Sequence, residues 1–282
     1  MSEFFDHHRK DTLAPSITEI ATPPYAEAID TTEMKNHLKV DTTADDSLIA
    51  SMTTAARDVV ETGTGSNVPR QRTMLATQFT YKVDNWGQLE NEQLPRIPVI
   101  SLDSITYIDT SGNTQTLSTS IYELKGDYIE LKRLQVWPSV DAVHFPITVT
   151  FKAGIVANFA RTSGDTLTVY GRTFTNGDAV QVKNSGGALP TGLSENTTYY
   201  VISVSGATFS LSTTAGGSAV TLTGAGTGTN YIGEDLLAFE TLRNAMKLIV
   251  GAWYRNREAF VLDRQPYALP IAVDHLIGSQ HA

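Results

Sequence analysis

Apolar residues recur at helical steps in two stretches of the chain. Leu48, Ile49, Met52, Ala55, Ala56, Val59 and Val60 fall on one stripe, which predicts an amphipathic helix entered at Asp41–Asp45 and stopped by Gly63 and Gly65. Thr32 fits the N-cap of a shorter helix, Glu33 to Lys39, ahead of it. The most regular stripe is Leu236, Phe239, Leu242, Met246, Ile249, Val250, Trp253 and Tyr254, which predicts a helix from near Glu234 of roughly five turns. Arg255 and Arg257 stand at its end, where the helix dipole favours cations.

Between these stretches the period changes to two. Phe79, Tyr81 and Val83 alternate with Thr80 and Lys82 inside a strand expected over Thr73 to Trp86. Val99–Ile108 and Gln115–Leu117 make a hairpin through Ser111-Gly-Asn113, and Tyr122–Leu124 with Tyr128–Leu131 make another through Lys125-Gly-Asp127. With the alternating run Ile147–Gly154, residues 70–154 are expected to form a small antiparallel sheet packed on helices. Pro15, Pro23 and Pro24 make residues 1–30 an extended arm.

Residues 161–230 differ from their surroundings. They hold 12 of the 21 glycines and only six of the charged residues, so one chain carries two compositions. Short strands are predicted at Thr166–Tyr170, Ala179–Val182, Tyr199–Val204, Thr208–Ser212 and Ala219–Thr223, about ten residues apart with glycine turns, the pattern of a small β-sandwich or barrel. Asn158–Arg161 and Thr227–Gly233 are expected to be its hinges, lying close together. The fold class expected is therefore α+β: a helical connector domain with a small antiparallel sheet, plus an inserted all-β domain. Its boundaries are an arm at 1–30, a host domain at 31–157 and 234–260, an insert at 158–233 and a tail at 261–282.

Composition narrows the chemistry. The 282 residues suffice for one large or two modest cores, and no run approaches the ~18 apolar residues of a membrane span. The first residues lack the basic-then-apolar layout of a signal peptide, so use without Sec export is expected. With no cysteine there is no disulfide framework, thiol catalysis or cysteine-ligated zinc. A net charge of −9 argues against a surface built to grip nucleic acid, yet suits a conduit that DNA slides past.

Candidate chemistry is sparse. His7, His8, His37, His144, His275 and His281 show no metal-ligand spacing; Asp45-Asp46 and Glu90 with Glu92 are paired carboxylates, but the first pair opens a helix, where negative charge is favourable anyway. Gly224-Ala-Gly-Thr-Gly228 lacks the βαβ context of a dinucleotide loop and reads as a linker. No enzyme activity, cofactor or metal is expected. Trp253 and Tyr254 suit either core packing or a contact between subunits, and Arg255 and Arg257 either a helix end or carboxylates of a neighbouring subunit.

Without the glycine-rich block, the order of the pieces becomes specific. Thr22-Pro-Pro24, Thr32–Val40, Asp45–Ile49, Ala55–Arg57, Leu94-Pro-Arg96, Ser104–Ile108, Ile147–Gly154 and the closing Trp253-Tyr-Arg-Asn-Arg-Glu258 resemble the head–tail connector (adaptor) proteins of tailed bacteriophages and phage-like particles. The resemblance covers about residues 20–157 and 234–278. It implies a non-enzymatic virion protein at the neck, assembled from host cytoplasm into a ring, usually twelve-fold, below the portal. Such a ring extends the DNA channel, lets double-stranded DNA pass without sequence-specific contact, and docks the stopper or a tail-completion protein. The tail residues Leu269, Pro270, Val273, Leu276 and Ile277 are then the expected portal contacts, and Trp253, Tyr254, Arg255 and Arg257 the expected inter-subunit contacts. The insert resembles β-modules of phage structural proteins and is expected outside the ring, against capsid or fibres. The competing reading is an adhesion or carbohydrate-binding protein that works through the β-block.

Overall fold

A computed structural model describes residues 17–62 and 71–256. Its first half runs β1 (Ile17–Thr22), α1 (Thr31–Leu38), α2 (Asp46–Thr62), β2 (Gln71–Arg72), β3 (Thr77–Val83), α3 (Trp86–Asn91), β4 (Arg96–Ile97), β5 (Val99–Ile108), β6 (Thr114–Thr116), β7 (Tyr122–Lys125) and β8 (Tyr128–Leu131). There follow β9 (Ile147–Ala153), β10 (Val156–Ser163), β11 (Thr166–Tyr170), β12 (Ala179–Ala188), β13 (Tyr199–Ser205), β14 (Thr208–Ser212), β15 (Thr227–Gly233) and α4 (Leu236–Arg255). The predicted stop at Gly63 and Gly65, residues 1–16 of the arm and the tail lie outside the described residues.

Short polar side chains start the helices. Asp30, rather than Thr32, caps α1 and accepts the Thr32 N–H at 2.8 Å; Asn85 and Asp235 do the same for α3 and α4. Lys39 ends α1 in the left-handed conformation, φ 61°, which returns the chain toward α2.

Alternation builds the five-stranded sheet, whose order is β1-β3-β9-β5-β6. Along β3 and β9 every second residue is buried, and Phe79 meets Phe151 with ring centroids 5.7 Å apart. Both hairpins form where the glycine turns place them, β5 with β6 and β7 with β8. Residues 84–86, given to the end of a strand by the sequence, instead turn into α3. Its Trp86 stacks on Trp137 at 4.6 Å and donates its indole N–H to the Pro138 carbonyl at 2.8 Å.

The glycine-rich block is a closed six-stranded barrel of order β10-β11-β14-β13-β12-β15. The two segments expected as hinges are themselves barrel strands: β10 pairs with β15, Asn158 opposite Tyr231 and Phe159 opposite Asn230. Closing the barrel satisfies backbone groups that a four- or five-stranded sheet would leave at open edges. Residues 219–223 are not a strand; they run irregularly across the barrel, held by Leu222 N–H on Asp165 and Thr223 N–H on the Thr191 carbonyl.

The expected fold class is overturned. Among the described residues strands account for 38% against 22% for helix, so this is a mainly β protein with four helices and not a helical connector domain with a small sheet. The amphipathic stripes do form helices, α2 and α4, but in the sequence their regularity outweighs the short strands, whose signal is only a few residues long.

Packing divides the chain into two units. One comprises the described part of Met1–Ala21 with Phe79–Pro95 and Ser101–Phe151; the other comprises Thr22–Gln78, Arg96–Ile100 and the described part of Lys152–Ala282. The second unit therefore holds α1, α2 and α4 together with the barrel. Period-two alternation explains how. On β10 and β15, Val156 and Tyr231 point into the helical core beside Phe239 and Leu242, while Ala157, Phe159 and Ile232 point into the barrel core. Two strands thus serve two cores.

Candidate assembly interface

Where helices and barrel meet, the second unit buries a charge. Arg243 lies on the core-facing side of α4, four residues after Phe239 and three before Met246, and is fully buried. Its guanidinium reaches Glu33 of α1 and Glu240 of its own helix, and sits 5.6 Å from the Phe239 ring and 5.8 Å from the Tyr231 ring. Lys247 adds a second cation, 2.6 Å from Glu33.

The barrel joins this node through β12. Ser185 accepts the Asp30 N–H at 2.8 Å and donates its hydroxyl to Glu33. Tyr231 donates its hydroxyl to the Glu27 carbonyl at 2.7 Å, and Asn158 accepts the Ala26 N–H at 3.2 Å. Residues 26–33 are therefore held by barrel strands on one side and by α4 on the other. Each bond satisfies a group that burial would otherwise leave unpaired.

Burial opposes the charge on Glu33, but Arg243 beside it and the bonds from Lys247 and Ser185 outweigh burial and lower its pKa below 4.5. Burial likewise opposes the charge on Arg243, and Glu240 and Glu33 overcome it and raise the guanidinium pKa. A carboxylate depressed on folding stabilises the fold above its unfolded pKa and loses that contribution as pH falls through the folded value. Wild type should therefore exceed Glu33→Gln in melting temperature at pH 7, and the gap should close on acidification from about pH 4.5 downwards. Thermal melts across pH 3–7 on both proteins measure this; a gap that stays constant over the range contradicts it.

The expected inter-subunit residues fall at the far end of α4. Trp253 and Tyr254 are half-buried and pack against the helical core, and Tyr254 donates its hydroxyl to Asp45 at 2.6 Å, which ties α4 to the start of α2. Arg255 closes the helix and is exposed. Arg257 and the tail residues Leu269, Pro270, Val273, Leu276 and Ile277 lie outside the described residues.

The structure separates the remaining candidates. Asp45 serves Tyr254 while Asp46 pairs with Lys35 at 2.6 Å; Glu90 accepts from Trp137 and Glu92 from Tyr81. His144 rests against Asp84 at 3.0 Å, and burial with nearby Lys247 lowers the His37 pKa. Among the described residues no three His, Asp or Glu side chains converge as metal ligands. Sequence reasoning passed over Arg243 although a signal existed: a lone arginine in the middle of an apolar stripe, three residues after a glutamate, requires a buried partner.

No protein-family model matches the chain, and no curated protein sequence matches it. Its fold is shared with chains of gene transfer agent particles. A chain in the virion of a native gene transfer agent particle aligns with a TM-score of 0.50 at 15% identity. A chain in the neck of an empty particle, computed with C6 symmetry, gives 0.52 at 14%, and one in the neck of a native particle, computed with C12 symmetry, gives 0.51 at 14%. Each comparison covers 94% of both chains. At these identities the likeness is one of fold.

Proposed function

We propose that this protein is a structural component of the neck of a phage-like particle, and within the neck a head–tail adaptor. The observation that carries the reading is the fold shared over 94% of both chains with chains of gene transfer agent necks. Fold alone does not imply function. The order of motifs from Thr22-Pro-Pro24 to the Trp253 helix points independently to the same class. The adaptor forms a ring below the portal, twelve-fold like the C12 symmetry used for one of those necks. Its lumen passes DNA, and the net charge of −9 suits a wall that does not hold the duplex.

In this reading Trp253, Tyr254 and Arg255 present their uncovered sides to a neighbouring subunit with Arg257, and Leu269, Pro270, Val273, Leu276 and Ile277 bind the portal. Deleting residues 266–282 should abolish co-sedimentation with isolated portal while leaving the melting temperature unchanged. Retention of portal binding by the shortened chain contradicts the tail assignment.

We also propose that residues 158–233 entered a host made of 31–157 and 234–260 as a module, since the chain enters and leaves the barrel through the paired strands β10 and β15. The host has since come to use it. Removing residues 161–230 deletes β11–β14 and uncovers Phe159 and Ile232, so the shortened chain should melt lower or aggregate. An unchanged melting temperature and a monodisperse product contradict this dependence.

A further inference from the structure

Leu134 and Val136, on the segment that joins β8 to β9 in the first packing unit, are 91% and 79% exposed. A single apolar residue on a surface needs no explanation, but here two aliphatic side chains two positions apart stand clear of the protein. Leu134 is also the third residue of a turn, closed by the Gln135 N–H on the Lys132 carbonyl at 3.0 Å. Its φ of 65° is a left-handed conformation that suits glycine at that position and that bulky side chains rarely adopt. The chain thus accepts strain where it shows apolar surface to water, and such strain clusters at sites that bind.

The segment is held firmly under this apolar tip. Lys132 donates its ammonium to the Thr119 carbonyl at 2.8 Å on one side. On the other, Trp137 stacks on Trp86 and donates its indole N–H to Glu90 at 3.3 Å. Leu134 and Val136 between these anchors therefore lose little freedom on meeting a partner, which favours binding.

A hole of matching character lies on the second unit. Between residues 26–31 and α2 a groove encloses about 330 Å³. An apolar cavity of roughly 150 Å³ takes a benzene ring, so this groove has room for two aliphatic side chains. Ala26, Ile29, Ala50 and Thr54 line it with small or apolar surface, and its charged residues are Glu27 and Asp30. Glu27 already pairs with Arg57, whereas Asp30 spends one oxygen on the Thr32 N–H at 2.8 Å. No basic residue is among the described residues that line the groove, while exposed Arg133 is the neighbour of Leu134. Knob and hole match in size, in aliphatic character and in sign of charge.

We infer that Leu134 and Val136 of one copy of this chain seat in the groove beside α2 of a second copy, with Arg133 against Asp30. Two different patches joined head to tail generate a ring when the rotation closes. The inference rests on the ring reading above for there being several copies, and adds the surfaces through which they meet.

The chain has no cysteine, so introduced thiols report this contact without background. Leu134→Cys and Ala50→Cys are combined in one chain, and particles carrying it are treated with a short bismaleimide cross-linker. A ladder of covalently joined chains should appear on a denaturing gel, whereas each single variant should give pairs at most. Both positions are exposed, so the variants should keep the wild-type melting temperature. Leu134→Asp together with Val136→Asp should lower incorporation of the protein into particles by about tenfold or more. The inference is overturned if the double-cysteine chain enters particles and gives no ladder, or if the two aspartates leave incorporation undiminished. A ring found at the neck without the ladder removes this contact and leaves the neck reading standing; a ladder from chains located on fibres does the reverse.

Discussion

Arg243→Met should destabilise the second unit by about 3–5 kcal/mol, the range for breaking a buried ion pair by removing one partner. Methionine fills most of the arginine's space, so the loss is electrostatic: Glu33 and Glu240 are left without their buried cation, and Lys247 reaches only Glu33. For a unit of this size each kcal/mol moves the melting temperature by about 2–4 °C, so a drop on the order of 10 °C is expected. Adding Glu33→Gln to Arg243→Met should recover part of the loss, because it removes the stranded charge. The coupling in that double-mutant cycle should be about 1–3 kcal/mol. Calorimetry on the four proteins measures it, and additive effects would show that the node does not act as a unit.

Gly154→Ala is expected to cost about 3 kcal/mol or more, although it adds a single methyl group. Residues 73–76 run alongside 154–156: Ile155 N–H donates to the Thr73 carbonyl, Val156 N–H to that of Met74, and Ala76 N–H to that of Val156. A Cβ on Gly154 would lie 2.5 Å from both the Leu75 carbonyl carbon and the Ala76 nitrogen, and 2.7 Å from the Ala76 Cα. Those atoms are backbone and cannot rotate away. The two segments would have to part, and with them Leu75 and Val156 of the helical core. Gly112→Ala is the control: its Cβ would meet nothing within 4 Å, so its cost is limited to the strain of a positive φ. Equal melting temperatures for the two variants contradict the close approach.

Much of this was legible in the residues. The stripes through Val60 and Tyr254 mark α2 and α4, Ser111-Gly-Asn113 and Lys125-Gly-Asp127 mark their hairpins, and strands at Thr166–Tyr170 and Thr208–Ser212 end where the glycine spacing places them. What stayed hidden depends on the tertiary structure. Asn158–Arg161 and Thr227–Gly233 carry small and polar residues that read as linkers, and only their mutual pairing makes them strands. Asp30 rather than Thr32 caps α1, a choice between neighbouring polar residues that the local pattern leaves open. The Arg243 node joins residues 210 positions apart through Glu33, and pairing across that distance has no local signature.

A ring subunit of a phage-like neck has one direct signature in a reconstruction of the particle. Cryo-electron microscopy of particles carrying the protein, with the neck refined without imposed symmetry, should place the barrel and the two long helices, α2 and α4, in a closed ring immediately below the portal. Twelve copies are expected around the channel. Finding the protein as single copies on fibres or on the capsid surface, with other density filling the neck, would contradict the assignment.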